Sequence, residues 1–467
     1  MSLPPPNLDD RRFQQLVDEA KRYVQQRTPE WTDHNVSDPG VTLIETFAYM
    51  VDQLLYRLNR VPDRNYHAFL DLLGVRLFPP TAARADVDFW LSAPQPDTVR
   101  LPAGTEVATA RGETEDAVVF STDEDLAIVP SSLVRLVTVP AAGEQTDRTG
   151  PLADGQDIPC FQSRPQPGDA LLFGLPTAVP RCIVAVCLDS RVEGVGVDPR
   201  QPPLVWEAWD GARWATCATG TDSTGGLNKP GEVTVFVPAG HTESVTAGTR
   251  AGWLRCRVTD AVPGQPFYSE SPTIREAEVF TVGGTAGVEH AETVLDVPLG
   301  TSEGVAGQTF AVPRTPVLLD GEPPLVEVSS DGGWQTWTPV DHFAASGPAD
   351  RHVQVDPVAG RFAFPPEVRE ADGTMRAYGA VPPKGAHIRL TRYRTGGGAA
   401  GNVARGAIRV LRSSVPYVAG VANREAARGG VDGETVENAK LRAPQILRVQ
   451  ERAVTAEDHE AIAREAA

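Results

Sequence analysis

The segment from Gly40 to Arg60 most constrains what this chain can fold into. Large apolar side chains recur there at steps of three and four residues, which is the heptad pattern of a helix packed against other helices. The seam of this pattern consists of Ile44, Phe47, Val51, Leu54 and Leu58. The one polar line along the same helix consists of Glu45, Asp52 and Asn59. A surface helix shows a broader polar face, so this helix needs cover on most of its sides.

Two further helices are predicted beside this segment. One starts near Asn7, and another ends at Gly74, a residue type that favours the position just after a helix. The apolar helix itself is predicted to start at Pro39, with Ser37 or Asp38 as its cap. Two short neighbours can bury only one face. The remaining cover comes either from the rest of the chain or from a bundle of helices from several chains, and the pattern alone leaves both possibilities open.

After Ala82 the period of the apolar residues changes to two, which is typical of β-strands. Frequent glycine and proline favour many short strands and turns, and the end of the chain returns to a helical pattern. The predicted fold class is therefore α+β and mainly β. The predicted domains are an N-terminal helical bundle segment (1–80), a β-rich domain (81–140 and 276–411), an inserted β-sandwich (141–275) and a C-terminal helical segment (412–467).

Charge and cysteine content exclude several classes of function. The formal net charge is −18, which argues against nucleic acid and against an anionic membrane surface as partners. No apolar run is long enough to span a bilayer, and no signal-peptide pattern opens the chain, so we expect no membrane insertion. The five cysteines are odd in number and form no CxxC pair. They predict free thiols in a reducing cytoplasm, with neither a disulfide framework nor a zinc site.

Three short motifs resemble catalytic, nucleotide-binding or metal-binding sites but lack the neighbouring elements that such sites require. GTSEG at Gly300–Gly304 fits GxSxG, yet no helix pattern follows it, as a nucleophile elbow would require. GGGAAG at Gly396–Gly401 follows a strand but precedes no helix that would bind a pyrophosphate. His34 lies near Asp38, with no second histidine at metal-binding spacing. We therefore predict no catalytic, cofactor-binding or metal-binding residues, no cofactor and no enzymatic activity.

Three tryptophans surround a predicted hairpin turn. The turn is Asp210-Gly211, with Trp206 and Trp209 before it and Trp214 after it. Trp206 and Trp214 share parity and Trp209 does not, so tryptophans should appear on both faces of the hairpin. Either they belong to a sandwich core, or one face exposes an aromatic ring that stacks on a sugar or anchors a protein partner. A carbohydrate-binding or carbohydrate-cleaving β-sandwich protein is thus the alternative function.

Several long segments, in the same order along the chain, carry a resemblance to one known family. The segments are TPEWTDHNVSDPGVTLIETFAYMVDQLLYRLNRVPDRNYHAFLDLLGVRL (28–77), LPAGT (101–105) with VFSTDEDL (119–126), GQTFAVPRTPVL (307–318), WTPVDHFAASGPADRHVQVDPVAGRFAF (337–364), YRTGGGAAGNVARGAIRVL (393–411) and GGVDGETVENAKLRAPQILRVQERAVTAEDHEAIAREA (429–466). They resemble the Baseplate J-like family of baseplate assembly proteins, found in contractile phage tails and related contractile injection systems. The resemblance covers most of the chain except roughly 141–270.

This resemblance implies a structural function without an enzymatic activity or a cofactor. Phage members of the family are wedge subunits whose N-terminal helices join those of neighbouring subunits in a core bundle, while other parts link wedges around a hub. The implied partners are other copies of this chain, sister wedge subunits, and the hub, spike and sheath proteins of a contractile particle assembled in the cytoplasm. The heptad seam would be the partner interface. Family members usually continue past the last helix, so their later ring contacts are either absent here or supplied by other sequence.

Overall fold

A computed structural model of the chain describes residues 9–32, 35, 37–58, 70, 77–112, 116–319, 323–449, 456, 459–460 and 463. These residues form two compact units, one from 1–79 with 433–467 and one from 80–432. The described helices are α1 (Phe13–Arg27), α2 (Pro39–Leu58), the short α3 (Thr149–Ala153) and α4 (Val436–Val449). Strands dominate the rest, so the predicted class, α+β and mainly β, is confirmed in its coarse form.

In the first unit, α2 begins where the sequence predicts. The Asp38 carboxylate accepts hydrogen bonds from the backbone N–H groups of Gly40 (2.7 Å) and Val41 (3.2 Å), so Asp38 is the cap rather than Ser37. The predicted helix that ends at Gly74 lies outside the described residues apart from Leu70. Most of the predicted final helix (455–467) lies outside them as well.

A buried ion pair fastens α4 to the segment before the first strand. The Glu434 carboxylate accepts hydrogen bonds from the backbone N–H of Phe78 (3.1 Å) and from Arg442 Nε (3.0 Å). The Arg442 guanidinium also lies 3.9 Å from the centre of the Phe78 ring. Burial raises the pKa of Glu434, but the bonds from Arg442 and Phe78 outweigh it and lower that pKa. The pair therefore holds the carboxylate charged beside Ala439 and Ala443, which are buried.

The second unit contains all of the described strands. Those in its first half are β1 (Arg84–Leu91), β2 (Val99–Leu101), β3 (Glu106–Thr109), β4 (Val119–Thr122), β5 (Leu126–Ile128), β6 (Arg135–Val139), β7 (Thr146–Asp147), β8 (Ile158–Pro159), β9 (Ala170–Leu175), β10 (Cys182–Arg191), β11 (Leu204–Trp209), β12 (Trp214–Thr216), β13 (Ala218–Asp222), β14 (Gly231–Phe236) and β15 (Glu243–Thr246). Those in its second half are β16 (Thr249–Val258), β17 (Thr273–Glu289), β18 (Ala291–Thr301), β19 (Thr309–Ala311), β20 (Val317–Leu318), β21 (Leu325–Ser330), β22 (Gly333–Val340), β23 (His352–Asp356), β24 (Arg361–Ala363), β25 (Glu367–Arg369), β26 (Met375–Ala377), β27 (His387–Gly396), β28 (Ile408–Leu411) and β29 (Val418–Asn423).

Three large sheets organise these strands. The ten-stranded sheet has the order β13-β14-β10-β17-β4-β3-β28, with β1 and β8 paired to β17, and β29 paired to β1. The seven-stranded sheet has the order β12-β11-β16-β9-β6-β7, with β15 added to β16. The eight-stranded sheet has the order β18-β27-β21-β22-β23-β24-β19, with β20 added to β27. The small pairs β2-β5 and β25-β26 complete the described strands.

Most strands of the segment predicted as an inserted β-sandwich (141–275) share one buried cluster, which also includes residues outside this segment. The seven-stranded sheet packs on β10 and β14, and side chains such as Phe173, Trp206 and Val184 are buried between the two layers. However, β17 runs across the predicted boundary and pairs with β10 along its first part and with β1 along its last. One layer of the sandwich therefore continues into the neighbouring domain. The boundaries themselves stay predictions.

The predicted C-terminal helical segment (412–467) opens with a strand rather than a helix. Strand β29 pairs with β1, where Val421 lies opposite Phe89. Val421 is buried, and the buried Asn423 side chain accepts a hydrogen bond from the backbone N–H of Ile408 (2.9 Å). These long-range contacts give this stretch a strand partner that its own sequence does not reveal.

His241 makes the second unit sensitive to acid. Its Nδ1 accepts a hydrogen bond from the backbone N–H of Val179 (3.0 Å), and burial lowers the pKa of His241 from 6.5 to about 4. Between pH 6.5 and about pH 4, His241 is therefore mostly protonated in the unfolded chain and mostly neutral in the folded chain. We expect stability to fall between about pH 6.5 and pH 4, by up to about 3 kcal/mol.

Denaturant unfolding at several pH values tests this expectation. His241→Asn keeps a hydrogen-bond acceptor but does not titrate, so its stability should fall less than that of the natural chain over this pH range. His342→Asn removes an exposed histidine and serves as the control. If the stability of the His241→Asn variant fell with pH as much as that of the natural chain, His241 would not be the cause of the acid sensitivity.

Candidate partner interface

Helix α1 covers one face of α2. Val17 of α1 and Val41 and Ala48 of α2 are buried. The Asp52 carboxylate accepts a hydrogen bond from the backbone N–H of Phe13 (3.1 Å), the first residue of α1. Asp52, which belongs to the predicted polar line, is therefore half-buried and caps a neighbouring helix. The α1 helix lies against the side of α2 that includes this line.

A second face of α2 carries large apolar side chains and has no cover from the described residues. Leu43, Phe47, Met50 and Leu54 each expose between 59% and 70% of their surface. We call these four residues the apolar stripe. Their steps of four, three and four residues place them along one line of the helix. Exposed patches of this kind mark sites of protein–protein contact in soluble proteins.

A groove between α1 and α2 extends the apolar stripe. Its volume is about 540 Å³. The apolar side chains that line it are Leu16, Ala20, Tyr23 and Val24 of α1 and Leu43, Ile44, Phe47, Ala48 and Val51 of α2. Leu43 and Phe47 belong to both the stripe and the groove. Stripe and groove therefore form one continuous apolar surface.

The predicted seam lies between the covered and the uncovered faces of α2. Ile44 and Val51 are half-buried along the groove, whereas Phe47 and Leu54 are exposed. The side chain of Leu58 lies outside the described residues. Leu43 and Met50 lie outside the predicted seam, yet they are about as exposed as its residues Phe47 and Leu54. The steps of four, three and four residues from Leu43 to Leu54 are the sequence pattern that could have identified Leu43 and Met50 as part of the exposed face. The seam as a partner interface stays a prediction.

Burial of the apolar stripe would supply a large driving force. Each Leu, Phe or Met side chain gains about 1.5–3 kcal/mol when it leaves water completely. Because about two thirds of each side chain is still exposed, the four residues together would supply roughly 4–8 kcal/mol before the entropic cost of association is subtracted. That amount is sufficient for a specific interface, provided that the partner surface is complementary.

The GxSxG motif forms a closed turn. Ser302 is buried, and its hydroxyl donates to the carbonyl of Pro382 (2.9 Å). The same oxygen accepts hydrogen bonds from the backbone N–H of Gly304 and from the Gln308 side chain, both at 3.0 Å. Strand β19 follows at Thr309, where a nucleophile elbow would have a helix. These contacts hold the hydroxyl in a structural role.

The glycine run at Gly396–Gly401 lets backbones approach each other closely. Gly397 donates its N–H to the carbonyl of His290, and Gly398 donates to that of Thr81. A Cβ atom on Gly430 would lie only 2.3 Å from the carbonyl oxygen of Gly398. The second half of the run is a 3₁₀ turn (Ala399–Gly401) and the next element is a strand, so the run leads into no helix N-terminus that could bind a pyrophosphate. The glycine run is thus packed against other backbone segments of the same chain.

Metal ligands, thiols and apolar helices add no further candidate site among the residues that the structure describes. His34 and Asp33 lie outside the described residues, and Asp38 caps α2. Among the residues that the structure describes, no cluster of three His, Cys, Asp or Glu side chains is arranged to hold a metal ion. All five cysteines have free thiols, and four of them are buried. None of the described helices is long and apolar enough to cross a bilayer.

The tryptophan hairpin places aromatic rings on both of its faces, but the pairing of β11 with β12 groups Trp214 with Trp209 and not, as parity alone indicated, with Trp206. Trp206 is buried in the sandwich core, where its ring stacks on Phe173 with 5.5 Å between centroids. Trp209 and Trp214 are cross-strand partners on the opposite face, and both are half-buried. The hairpin therefore contributes both to the core and to the surface.

The solved structures that are similar to this chain include two baseplate assemblies. One is a chain of the type VI secretion system TssK-TssF-TssG baseplate subcomplex, with 12% identity, coverage of 89% of this chain and 79% of that chain, and a TM-score of 0.36. The other is a chain of the anti-feeding prophage (AFP) baseplate, with 11% identity, coverage of 94% of this chain and 54% of that chain, and a TM-score of 0.28.

Both scores lie below 0.5, so neither alignment carries an argument about this chain. No family model and no curated protein matches the sequence.

Proposed function

We propose that this chain is a structural baseplate component of a phage-tail-like contractile injection system, where it acts as a wedge subunit. In this proposal α2 packs against helices of neighbouring subunits in a shared bundle. One observation carries the proposal: the apolar stripe of α2 is exposed although α1 already covers the opposite part of the helix.

The stripe has the features that a helical bundle needs. Residues at steps of three and four fit between the side chains of a facing helix as knobs into holes. The groove beside the stripe is formed by α1 and α2 together, so both helices can contact an incoming one. The stripe also lies within 28–77, the first segment that resembles the Baseplate J-like family. Physical pattern and family resemblance thus concern the same residues.

The proposed role is mechanical rather than enzymatic. Wedge subunits would hold the extended state of the particle through contacts between subunits, and a rearrangement of those contacts would release the sheath. The proposed partners are other copies of this chain, sister wedge subunits, and the hub, spike and sheath proteins. The role needs no cofactor, and the hydrogen bonds around Ser302 argue against that serine as a nucleophile.

Immunogold electron microscopy tests the proposed function. Particles are sedimented from lysates of the source cells and labelled with an antibody against this chain. The proposal predicts label at one end of rods that contain a sheath and an inner tube. A chain that remains in the supernatant while unlabelled rods sediment would contradict it.

A further inference from the structure

The outer face of the seven-stranded sheet is unusually apolar. In a two-layer sandwich the outward side chains normally face water and are polar. Here Val137, Leu172, Ala251 and Trp253 are buried on this face, in a cluster separate from the sandwich core. Trp253 Nε1 donates a hydrogen bond to the carbonyl of Ser244 in β15 (3.1 Å), which secures the indole. A pocket lies beside this outer cluster and shares Leu172 with it.

The pocket combines a buried apolar base with aromatic and polar side chains. Its volume is about 240 Å³. Ala170 and Leu172 are buried at its base, while Trp209 and Trp214 contribute aromatic rings. The polar side chains that line it are Gln145, Ser244, Thr246 and Arg255. The two indoles meet edge to face, with 5.6 Å between centroids. A compact ligand would find both stacking surfaces and hydrogen-bonding groups here.

Arg255, which lines the pocket, shares its carboxylate partner with a second arginine. Glu207 accepts hydrogen bonds from Arg255 Nε (2.6 Å) and from Arg257 Nε and Nη2 (both 3.0 Å). One carboxylate thus faces two guanidinium groups. The Arg255 guanidinium lies 4.2 Å from the centre of the Trp214 ring, and only its Nε bonds to a described residue. Its terminal nitrogens are therefore available to bind a carboxylate in two-point geometry.

A second hairpin shows which of these features are structural. In β21 and β22, Glu327 bonds to Arg389 (2.8 Å), and Arg389 stacks on Trp334 at 4.0 Å. The spacing from Glu to Trp is the same as in the first hairpin. In the second hairpin, however, Ser329 stands at the position that Trp209 has in the first. Among the described residues, only Arg389 bonds to the carboxylate of Glu327, whereas two arginines bond to Glu207. Because the Glu–Arg–Trp arrangement occurs in both hairpins, we attribute it to the packing of the sheet. The first hairpin differs by a second indole, Trp209, and a second arginine, Arg257.

We propose that this pocket binds one monosaccharide unit that carries a carboxylate, such as a uronic acid. The C–H face of the sugar ring would stack on an indole, and the carboxylate would bind the terminal nitrogens of Arg255. The hydroxyl groups would find partners in Ser244, Thr246 and Gln145.

The size and the charge of the site agree with this ligand. The pocket is smaller than the range of about 300–1,000 Å³ typical of drug-sized ligands, which favours a single sugar unit over a longer chain. The net charge of −18 does not oppose binding at contact distance, because salt screens exposed charges beyond about 8–10 Å.

Titration of the full chain with glucuronate, followed by tryptophan fluorescence and calorimetry, tests the proposal. Glucuronate should bind, and glucose, which lacks the carboxylate, should bind about tenfold more weakly or worse. Arg255→Gln should remove this preference. Trp334→Ala, which removes the equivalent tryptophan of the second hairpin, should leave glucuronate binding unchanged.

A second pair of variants avoids the risk that a change at Arg255 disturbs the sheet. Val245 lines the pocket and is 69% exposed, so substitutions there should not affect folding. Val245→Asp should weaken glucuronate binding by repulsion, and Val245→Asn, of nearly equal size, should weaken it less. Equal binding of glucuronate and glucose, or equal effects of the two Val245 variants, would overturn the proposal. Binding of N-acetyl-aspartate amide without binding of glucuronate would overturn it as well and would indicate a protein partner.

Discussion

Replacement of Leu54 by aspartate is expected to leave the free chain folded and to block its incorporation into particles. Leu54 is 61% exposed in the free chain, so a carboxylate there remains in water. In a helical bundle the same carboxylate would be buried without a partner. Such a charge costs about 3–5 kcal/mol, which is enough to lose most of the assembled form.

The control for this prediction uses the same substituent one residue away. Gln53 is exposed and lies outside the apolar stripe, so Gln53→Asp should permit assembly. Glu45→Gln should also have a far smaller effect than Leu54→Asp. Circular dichroism of the free chains checks their folding, and the amount of this chain in sedimented particles measures assembly. Equal assembly of the Leu54→Asp and Gln53→Asp variants would show that α2 is not packed along the stripe.

Replacement of Glu289 by glutamine is expected to destabilise the second unit by about 3 kcal/mol. Glu289 is buried at the end of β17 and forms ion pairs with Arg84 of β1 and Arg394 of β27. It thereby joins the ten-stranded sheet to the eight-stranded sheet. Loss of its charge leaves two guanidinium groups around a neutral amide, and the Arg394 side chain is itself largely buried. Denaturant unfolding measures the loss.

A surface ion pair nearby provides the matched control. Glu292 of β18 bonds to Arg314 at 2.6 Å, but both side chains are substantially exposed. Exposed pairs contribute about 0–1 kcal/mol, so Glu292→Gln should change the free energy of unfolding much less than Glu289→Gln. Equal effects of the two variants would show that Glu289 does not join the sheets as described.

Local signals in the sequence predicted α2 well. The start of the helix follows from Asp38 and Pro39, whose capping contacts involve only neighbouring residues. The side on which α1 packs was not predictable, because the heptad seam indicates that α2 has partners but not which partner covers which side. Asp52 illustrates this limit. It was assigned to a polar line, and the structure shows it capping α1, 39 residues earlier in the chain.

The sheets show where sequence reasoning fails for non-local contacts. The segment 141–275 was predicted as an inserted β-sandwich. Pairing between strands does not follow that boundary, since β17 continues through it and joins the two regions in one sheet. Strand β29 was missed for a related reason: its partner β1 lies more than three hundred residues earlier.

The pocket at the tryptophan hairpin was only partly predictable. Alternation in β11 and β12 predicted aromatic rings on both faces, which the structure confirms. The positive charge beside them comes from Arg255, which is 48 residues from its partner Glu207. No local pattern connects these residues, because their contact depends on the register between β11 and β16.

Cysteine labelling at position 54 tests the central claim most directly. Four of the native thiols are buried and Cys187 is half-buried, so the natural chain provides a low background. Leu54→Cys should react rapidly with a maleimide in the free chain, where this position is exposed. In purified particles the account predicts strong protection of the same thiol, because α2 is then packed against neighbouring helices. Equally rapid labelling in the free chain and in the particle would contradict it.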